Sequence, residues 1–390
     1  MLKKTFYNQV LCILLMFTFF NAKATSSSFA GASDYKTLGL LYQYYGYTLV
    51  TKADAKIIMN NSELMSLNVG DIAHSSAALR MQKITCKKPE KCHEHNFEVW
   101  IRGNALRGEQ NHSFEKDSDY SIDLYGKTIG IDGYLSETLL TGISFSRVGG
   151  NTTDTSLNNY SNSTTVYLPN NSFSSRPYTI YLAYDTGTDI FWKNIFSLSE
   201  SILQKKSIVT GTIDGYSKST LHKSIANTLS KNFETTLEYK HLINKDENCY
   251  IVPFAGAKLA QFKNSLDISY TDEYKDLEGY SYDIVKPVYK SVLSGLVGSK
   301  LVLSRKISND MYFIPTISLA GGKKLLKQDS RANGFDLANL KKYGKKGYFM
   351  NFGVDAALDN SYLKIQADYK LYAREKYIAH QAGLAAILNF

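Results

Sequence analysis

From Phe97 to the last residue, apolar and polar positions alternate along the chain with a period of two. Leu363, Ile365, Ala367, Tyr369 and Leu371 are separated by Lys364, Gln366, Asp368 and Lys370. Tyr348, Met350, Phe352, Val354, Ala356 and Leu358 alternate with Asn351, Gly353 and Asp355 in the same way, and Phe233, Thr235, Leu237 and Tyr239 alternate with Glu234, Thr236, Glu238 and Lys240. Side chains on a strand point to opposite faces in turn, so each segment carries one apolar face and one wet, charged face. The pattern predicts strands at about 97–108, 121–135, 138–149, 176–187, 189–205, 222–243, 248–264, 287–304, 310–325, 346–359, 361–373 and 377–390. The boundaries are least marked in 205–232, and a split of 216–243 would give an odd count, which a single-chain bacterial barrel disfavours.

A soluble β-sandwich and a membrane β-barrel both alternate in this way. The barrel is favoured because the segments run ten residues or more, whereas soluble strands usually have about five or six. Tyrosines cluster at the segment ends, as in an interfacial girdle. Turns on one side are short, at Ser136-Glu137 and Asp359-Asn360-Ser361, while connections such as 151–175 and 267–283 are long and polar. The expected fold is therefore all-β, a twelve-stranded antiparallel transmembrane barrel over 97–390, with both wall ends on one side.

Ahead of the barrel the period changes. Ala53, Ala55, Ile57, Ile58, Leu64, Leu67, Ile72, Ala77, Ala78, Leu79 and Met81 recur at spacings of three and four, which predicts a helix over about 54–85 within a linker of 54–96. Asn68 and Gly70 weaken its middle. The extreme N-terminus has Lys3 and Lys4, an apolar run from Val10 to Phe20, and Ala22-Lys23-Ala24, the layout of a cleaved secretory signal peptide over 1–24. Cleavage there removes three lysines and no acid, lowering the formal net charge from +9 to +6. Residues 25–53 form a short Ser/Gly/Ala-rich, then Tyr-rich segment.

Composition narrows the classes further. With 44% apolar and 13% aromatic residues the chain is not disordered, and 4 cysteines in 390 residues do not make a disulfide scaffold. After residue 20 no stretch approaches the roughly 18 apolar residues of a spanning helix. No basic run with interleaved aromatics points to nucleic acid. The expected location is the bacterial outer membrane, reached by signal-directed export.

The last strand, Tyr377 to Phe390, carries Ala382, Leu384, Ala386, Leu388 and Phe390 on one face, and its terminal aromatic resembles the assembly signal of outer-membrane barrels, with Phe390 and Leu388 at its end. Together with Trp100-Ile101-Arg102, the run Gly130-Ile131-Asp132-Gly133-Tyr134-Leu135, the segment Leu140-Thr141-Gly142-Ile143-Ser144, and the proline strands around Pro253 and Pro315, residues 97–390 resemble the translocator barrel of autotransporters. The resemblance implies a twelve-stranded barrel, a helix crossing its pore, a linked exported passenger, and assembly by the barrel-assembly machinery. Family members carry a long repetitive β-helical passenger, whereas 25–53 shows no repeat. Asn60-Asn61 resembles the asparagine pair at which some members cut themselves; two polar residues near a helix start is the preferred reading.

Candidate chemistry is sparse. Cys86 and Cys92, with His93 and His95, offer zinc-type ligands, but in an oxidising compartment a small Cys86–Cys92 disulfide loop is preferred. His112, His222, His241 and His380 fall on different strands without a neighbouring nucleophile motif, so no enzymatic activity and no cofactor are expected. By parity, Arg102, Asp132, Glu238, Lys258, Asp355, Lys364 and Asp368 face the lumen, where they would hold the helix or set ion preference. Two functions stay open. One is a translocator that anchors and exports a short N-terminal segment. The other is a passenger-less monomeric surface barrel, acting as a porin-like channel or as an adhesin or antigen that meets a host or surface ligand through loops 151–175 and 265–285.

Overall fold

A computed structural model describes residues 52–81, 97–110, 120–154, 165–167, 170–213, 216–243, 249–272, 281–308, 311–330, 341–342, 347–360, 362–374 and 377–389. They form one helix, α1 (Lys52–Arg80), and twelve long antiparallel strands. These are β1 (Phe97–Gln110), β2 (Tyr120–Ser136), β3 (Leu139–Asp154), β4 (Asn170–Asp185), β5 (Ile190–Ile213) and β6 (Tyr216–Tyr239). The wall continues with β7 (Cys249–Asp272), β8 (Ser281–Leu303), β9 (Met311–Ser330), β10 (Tyr348–Asn360), β11 (Leu363–Arg374) and β12 (Tyr377–Asn389). Each strand pairs with its sequence neighbour, and β1 closes on β12 from Glu98↔Asn389 to Gln110↔Tyr377, so the sheet is a closed barrel. Closure satisfies every edge, which is what lets a sheet cross lipid.

The alternation becomes the two faces of the wall. In β1 the residues alternate exposed and buried from Phe97 onward, with Phe97, Val99 and Ile101 outside and Glu98, Trp100 and Arg102 inside. Outside lie Ile129, Ile131, Ile143, Phe145, Ile317 and Leu319. Inside lie small polar residues such as Ser146, Ser199, Ser201, Thr228 and Ser230, which leave room for contents. Leu388 is outside as well, half-exposed and paired with Val99 and Leu363; Phe390 lies outside the described residues, as do Cys86, Cys92, His93, His95 and the 1–24 and 25–51 segments.

Two expectations change in detail. The connections 151–175 and 265–285 are not mostly loop: β3 runs to Asp154, Thr165–Tyr167 pairs with β5, β4 begins at Asn170, and β7 and β8 reach Asp272 and Ser281. Likewise 205–213 and 216–232 lie in two adjacent strands, paired without a break from Ile190↔Tyr239 to Ile213↔Tyr216. Crossing a bilayer needs about 9–11 residues, and β5, β6 and β7 have 24 each. Past the length a crossing needs, nothing selects for an oily face.

The rim holding both wall ends and the short turns, such as 186–189 with Gly187 at φ +77°, is the near rim, and by the barrel rule it is periplasmic. The opposite, far rim carries the longest connections, 155–169 and 331–347, beside two of only two residues, 214–215 and 375–376.

Candidate functional site

Helix α1 occupies the lumen. From Ser62 to Met81 its described side chains are buried or nearly so on every side, which suits a helix with no exposed face. Among the described residues no helix is long and apolar enough to span a membrane itself. Gly70 lies against the wall: a Cβ there would meet the Asn232 amide nitrogen at 3.0 Å, so the residue that interrupts the helical pattern is the one that allows close approach.

Two apolar layers hold the helix. Towards the far rim Met65, Val69 and Ile72 pack with Leu106, Leu124, Phe173 and Leu203. Towards the near rim Ala77 and Met81 pack with Trp100, Leu140, Tyr181 and Ile387.

Polar clamps tie the same helix to the wall at successive heights. At the near rim Arg80 donates to both carboxylate oxygens of Asp132, at 2.7 and 2.8 Å, and also to Glu98. Tyr181 donates its hydroxyl to Asp132 at 2.7 Å and receives the Trp100 indole N–H at 3.2 Å, while the Arg80 guanidinium lies 6.0 Å from the Trp100 ring centroid. Gly130 and Gly142 make this possible, because a Cβ at either would overlap Trp100 or Tyr181. One turn up, Arg102 pairs with Asp368 at 2.8 Å and donates to Asn104 and to Ser75 of the helix, which also receives Gln381. His74 sits 3.2 Å from Glu234 and 3.1 Å from Ser197. Asp71 accepts from Lys258 at 2.6 Å and from Arg374. Asn68 donates to the Tyr377 hydroxyl at 2.6 Å, and Ser62 meets Thr228 at 2.5 Å. Bidentate and charge-assisted contacts of this kind are the strong ones, and buried charges without them would be costly.

The structure thus brings Arg102, Asp132, Lys258 and Asp368 onto or next to the helix. Glu238 joins a separate wall cluster, accepting from Lys193 at 2.7 Å and Lys300 at 2.5 Å. Asp355 is buried beside Asp368 in register, and Lys364 pairs with Asp359 at 3.4 Å near the β10–β11 turn. Asn60 and Asn61 fall inside α1. His380 is outward and meets the Tyr369 hydroxyl at 2.5 Å. Sequence reasoning did not single out Asp71, His74, Arg80, Glu234 or Arg374. A signal existed: titratable residues inside a helix that precedes a pore need partners in its wall.

The helix packs on the β2–β7 side, and the opposite wall stands off. Between them lies a cavity of about 550 Å³, bordered by Lys193, Lys258, Lys300, Lys370 and Arg374 and by Asp71, Glu234 and Glu238.

The chain has the fold of the translocator domain of the autotransporter NalP from Neisseria meningitidis, with a TM-score of 0.53, 13% identity, and coverage of 81% of this chain and 98% of that one. It is 24% identical over 362 residues to Outer membrane protein A of Rickettsia conorii (strain ATCC VR-613 / Malish 7), covering 87% of this chain, and 24% identical over 309 residues to Outer membrane protein A of Rickettsia rickettsii, covering 75%. The chain spans 17% and 13% of the length of these relatives. No family model matches the sequence. The protein is a bacterial outer-membrane β-barrel of the autotransporter-translocator fold.

Proposed function

We propose that this barrel carries the segment preceding α1 through its pore to the cell surface and then keeps α1 as the plug. The polarity of the helix is the observation that supports this reading. Ser62 meets Thr228 and Asn68 meets Tyr377, farther from the near rim, whereas Arg80 meets Glu98 and Asp132 close to it. The N-terminal end of α1 therefore points to the far rim, and a chain entering there has crossed the membrane. The barrel acts without catalysis or cofactor in this reading, as an anchor and conduit. It is inserted as a monomer by the barrel-assembly machinery into outer-membrane lipid.

An epitope tag placed just after Ala24 tests it. On intact cells the tag is expected to be reached by antibody and removed by added protease. A tag protected until the outer membrane is broken would contradict export.

The standing cavity favours a second reading, a narrow water path beside the helix, which makes the plugged barrel a small-conductance pore as well.

A further inference from the structure

The lipid-facing surface carries a cluster of charge that neither the pore nor the plug uses. Lys127 on β2, Arg147 on β3 and Arg176 on β4 all point outward and are exposed. Lys127 and Arg147 are direct cross-strand partners. Arg147 and Arg176 face each other in the register set by Phe145↔Tyr178 and Val148↔Ser175. Directly opposed side chains on adjacent strands have Cβ atoms about 4.5–5.5 Å apart, and like charges there destabilise the sheet. Three cations in a row repel one another, and among the described residues none of the three forms an ion pair. Arg107 offers a contrast on the same surface, with Asp123 at 3.9 Å and Glu109 at 3.8 Å. Glu200 is the cross-strand partner of Arg176, and no ion pair joins them.

The position of the cluster is as telling as its charge. Towards the near rim each of its strands turns apolar outside, at Ile129 and Ile131, Ile143 and Phe145, and Tyr178 and Ile180. Towards the far rim the outward residues become polar, with Asp123, Asn151, Ser172 and Ser174. Tyr125 and Tyr178, exposed and beside the cations, mark the interface where amphipathic rings sit. Gly103, the partner of Lys127 on β1, leaves open space where a side chain would stand. The three cations thus lie at the outer edge of the apolar band, at the depth of lipid headgroups in the outer leaflet.

We propose that Lys127, Arg147 and Arg176 form a binding site for the phosphate groups of an anionic lipid headgroup of the outer leaflet. Guanidinium groups match phosphate oxygens in a bidentate fork, and basic clusters at a bilayer surface recognise anionic lipids by this electrostatic gain. The bound phosphates relieve the repulsion that the bare protein carries across three strands.

The test uses the full chain, folded and placed in nanodiscs of phosphatidylcholine containing lipid A, then released in mild detergent and weighed by native mass spectrometry. The protein is expected to retain lipid A. The variant Lys127→Gln/Arg147→Gln/Arg176→Gln is expected to lose at least roughly tenfold of that retention, while Arg107→Gln/Lys263→Gln/Lys323→Gln, equal in lost charge, keeps it. Heat-dependent gel mobility reports whether each barrel is folded. Should the triple variant not fold, Arg147→Gln alone, with wild-type mobility, is expected to weaken retention in the same direction. Equal retention by the cluster variants, or equal retention of dephosphorylated lipid A, would overturn the proposal. So would binding of a sulfated polysaccharide that the triple variant abolishes while its lipid A retention stands.

Discussion

Deletion of residues 52–81 is expected to raise the single-channel conductance of the folded barrel several-fold. The wall does not need the helix to stay closed, because its integrity comes from continuous pairing around twelve strands, including the thirteen residue pairs that join β1 to β12. What the helix supplies is volume and charge compensation. A helix with its side chains is about 10–12 Å across, and its loss leaves a lumen lined by serines, threonines, lysines and carboxylates that water can solvate. Planar-bilayer recordings of the deletion variant beside the full chain read the change directly. Unchanged conductance in a barrel that still shows heat-dependent mobility would remove α1 from the pore.

Asp132→Ala is the single substitution with the largest expected effect on the plug. It takes both carboxylate contacts from Arg80 and the acceptor from the Tyr181 hydroxyl. Arg80 is then left with Glu98 in a site where its side chain is 3% exposed. Removing one partner of a buried pair costs about 3–5 kcal/mol. Arg80 keeps Glu98 and its place near the Trp100 ring, which holds the cost near the lower end, still about a hundredfold in the ratio of plugged to open states. Long open events should therefore appear in recordings of Asp132→Ala, and Asp132→Glu should restore part of the block. Adding Arg80→Ala to Asp132→Ala should cost much less than the sum of the two single changes, because the two residues form one interaction. Additive effects would mean that the clamp seen at the near rim does not hold the helix.

The barrel was legible because lipid imposes one rule on every strand. Leu363 to Leu371 and Tyr348 to Leu358 read as strands without any knowledge of their neighbours, since each must present oil outward and water inward. That rule ends where the membrane ends. Residues 205–213, 216–232, 265–272 and 281–285 belong to strands of 23 or 24 residues, and past the roughly 9–11 residues a crossing needs nothing requires one face to be apolar. The inward charges were read by parity alone; Arg102, Asp132 and Asp368 are buried in the structure. Their partners were not legible. Whether Asp132 meets Arg80 rather than a wall residue depends on how far the helix slides down the pore, and a helix buried all round has no stripe that announces its orientation. The motif pieces Trp100, Gly130, Asp132 and Gly142 looked independent along the chain. In space they are one packing unit, the indole lying over one glycine and Tyr181 over the other, with Asp132 receiving the arginine between them.

Helix α1 lies in the pore with its N-terminal end towards the far rim. Ser62→Cys paired with Thr228→Cys, in a chain whose native cysteines are serine, tests it most directly, because the two hydroxyls sit 2.5 Å apart towards the far-rim half of the lumen. Disulfide formation demands close approach and correct direction of both side chains. In outer membranes isolated from growing cells, mild oxidation should join the two positions in most of the protein, and the cross-linked barrel should stay in its low-conductance state. A folded barrel in which Ser62→Cys and Thr228→Cys remain unjoined, while Arg80→Cys readily joins a cysteine placed on the far-rim half of β6, would show the helix reversed or absent and would contradict the account.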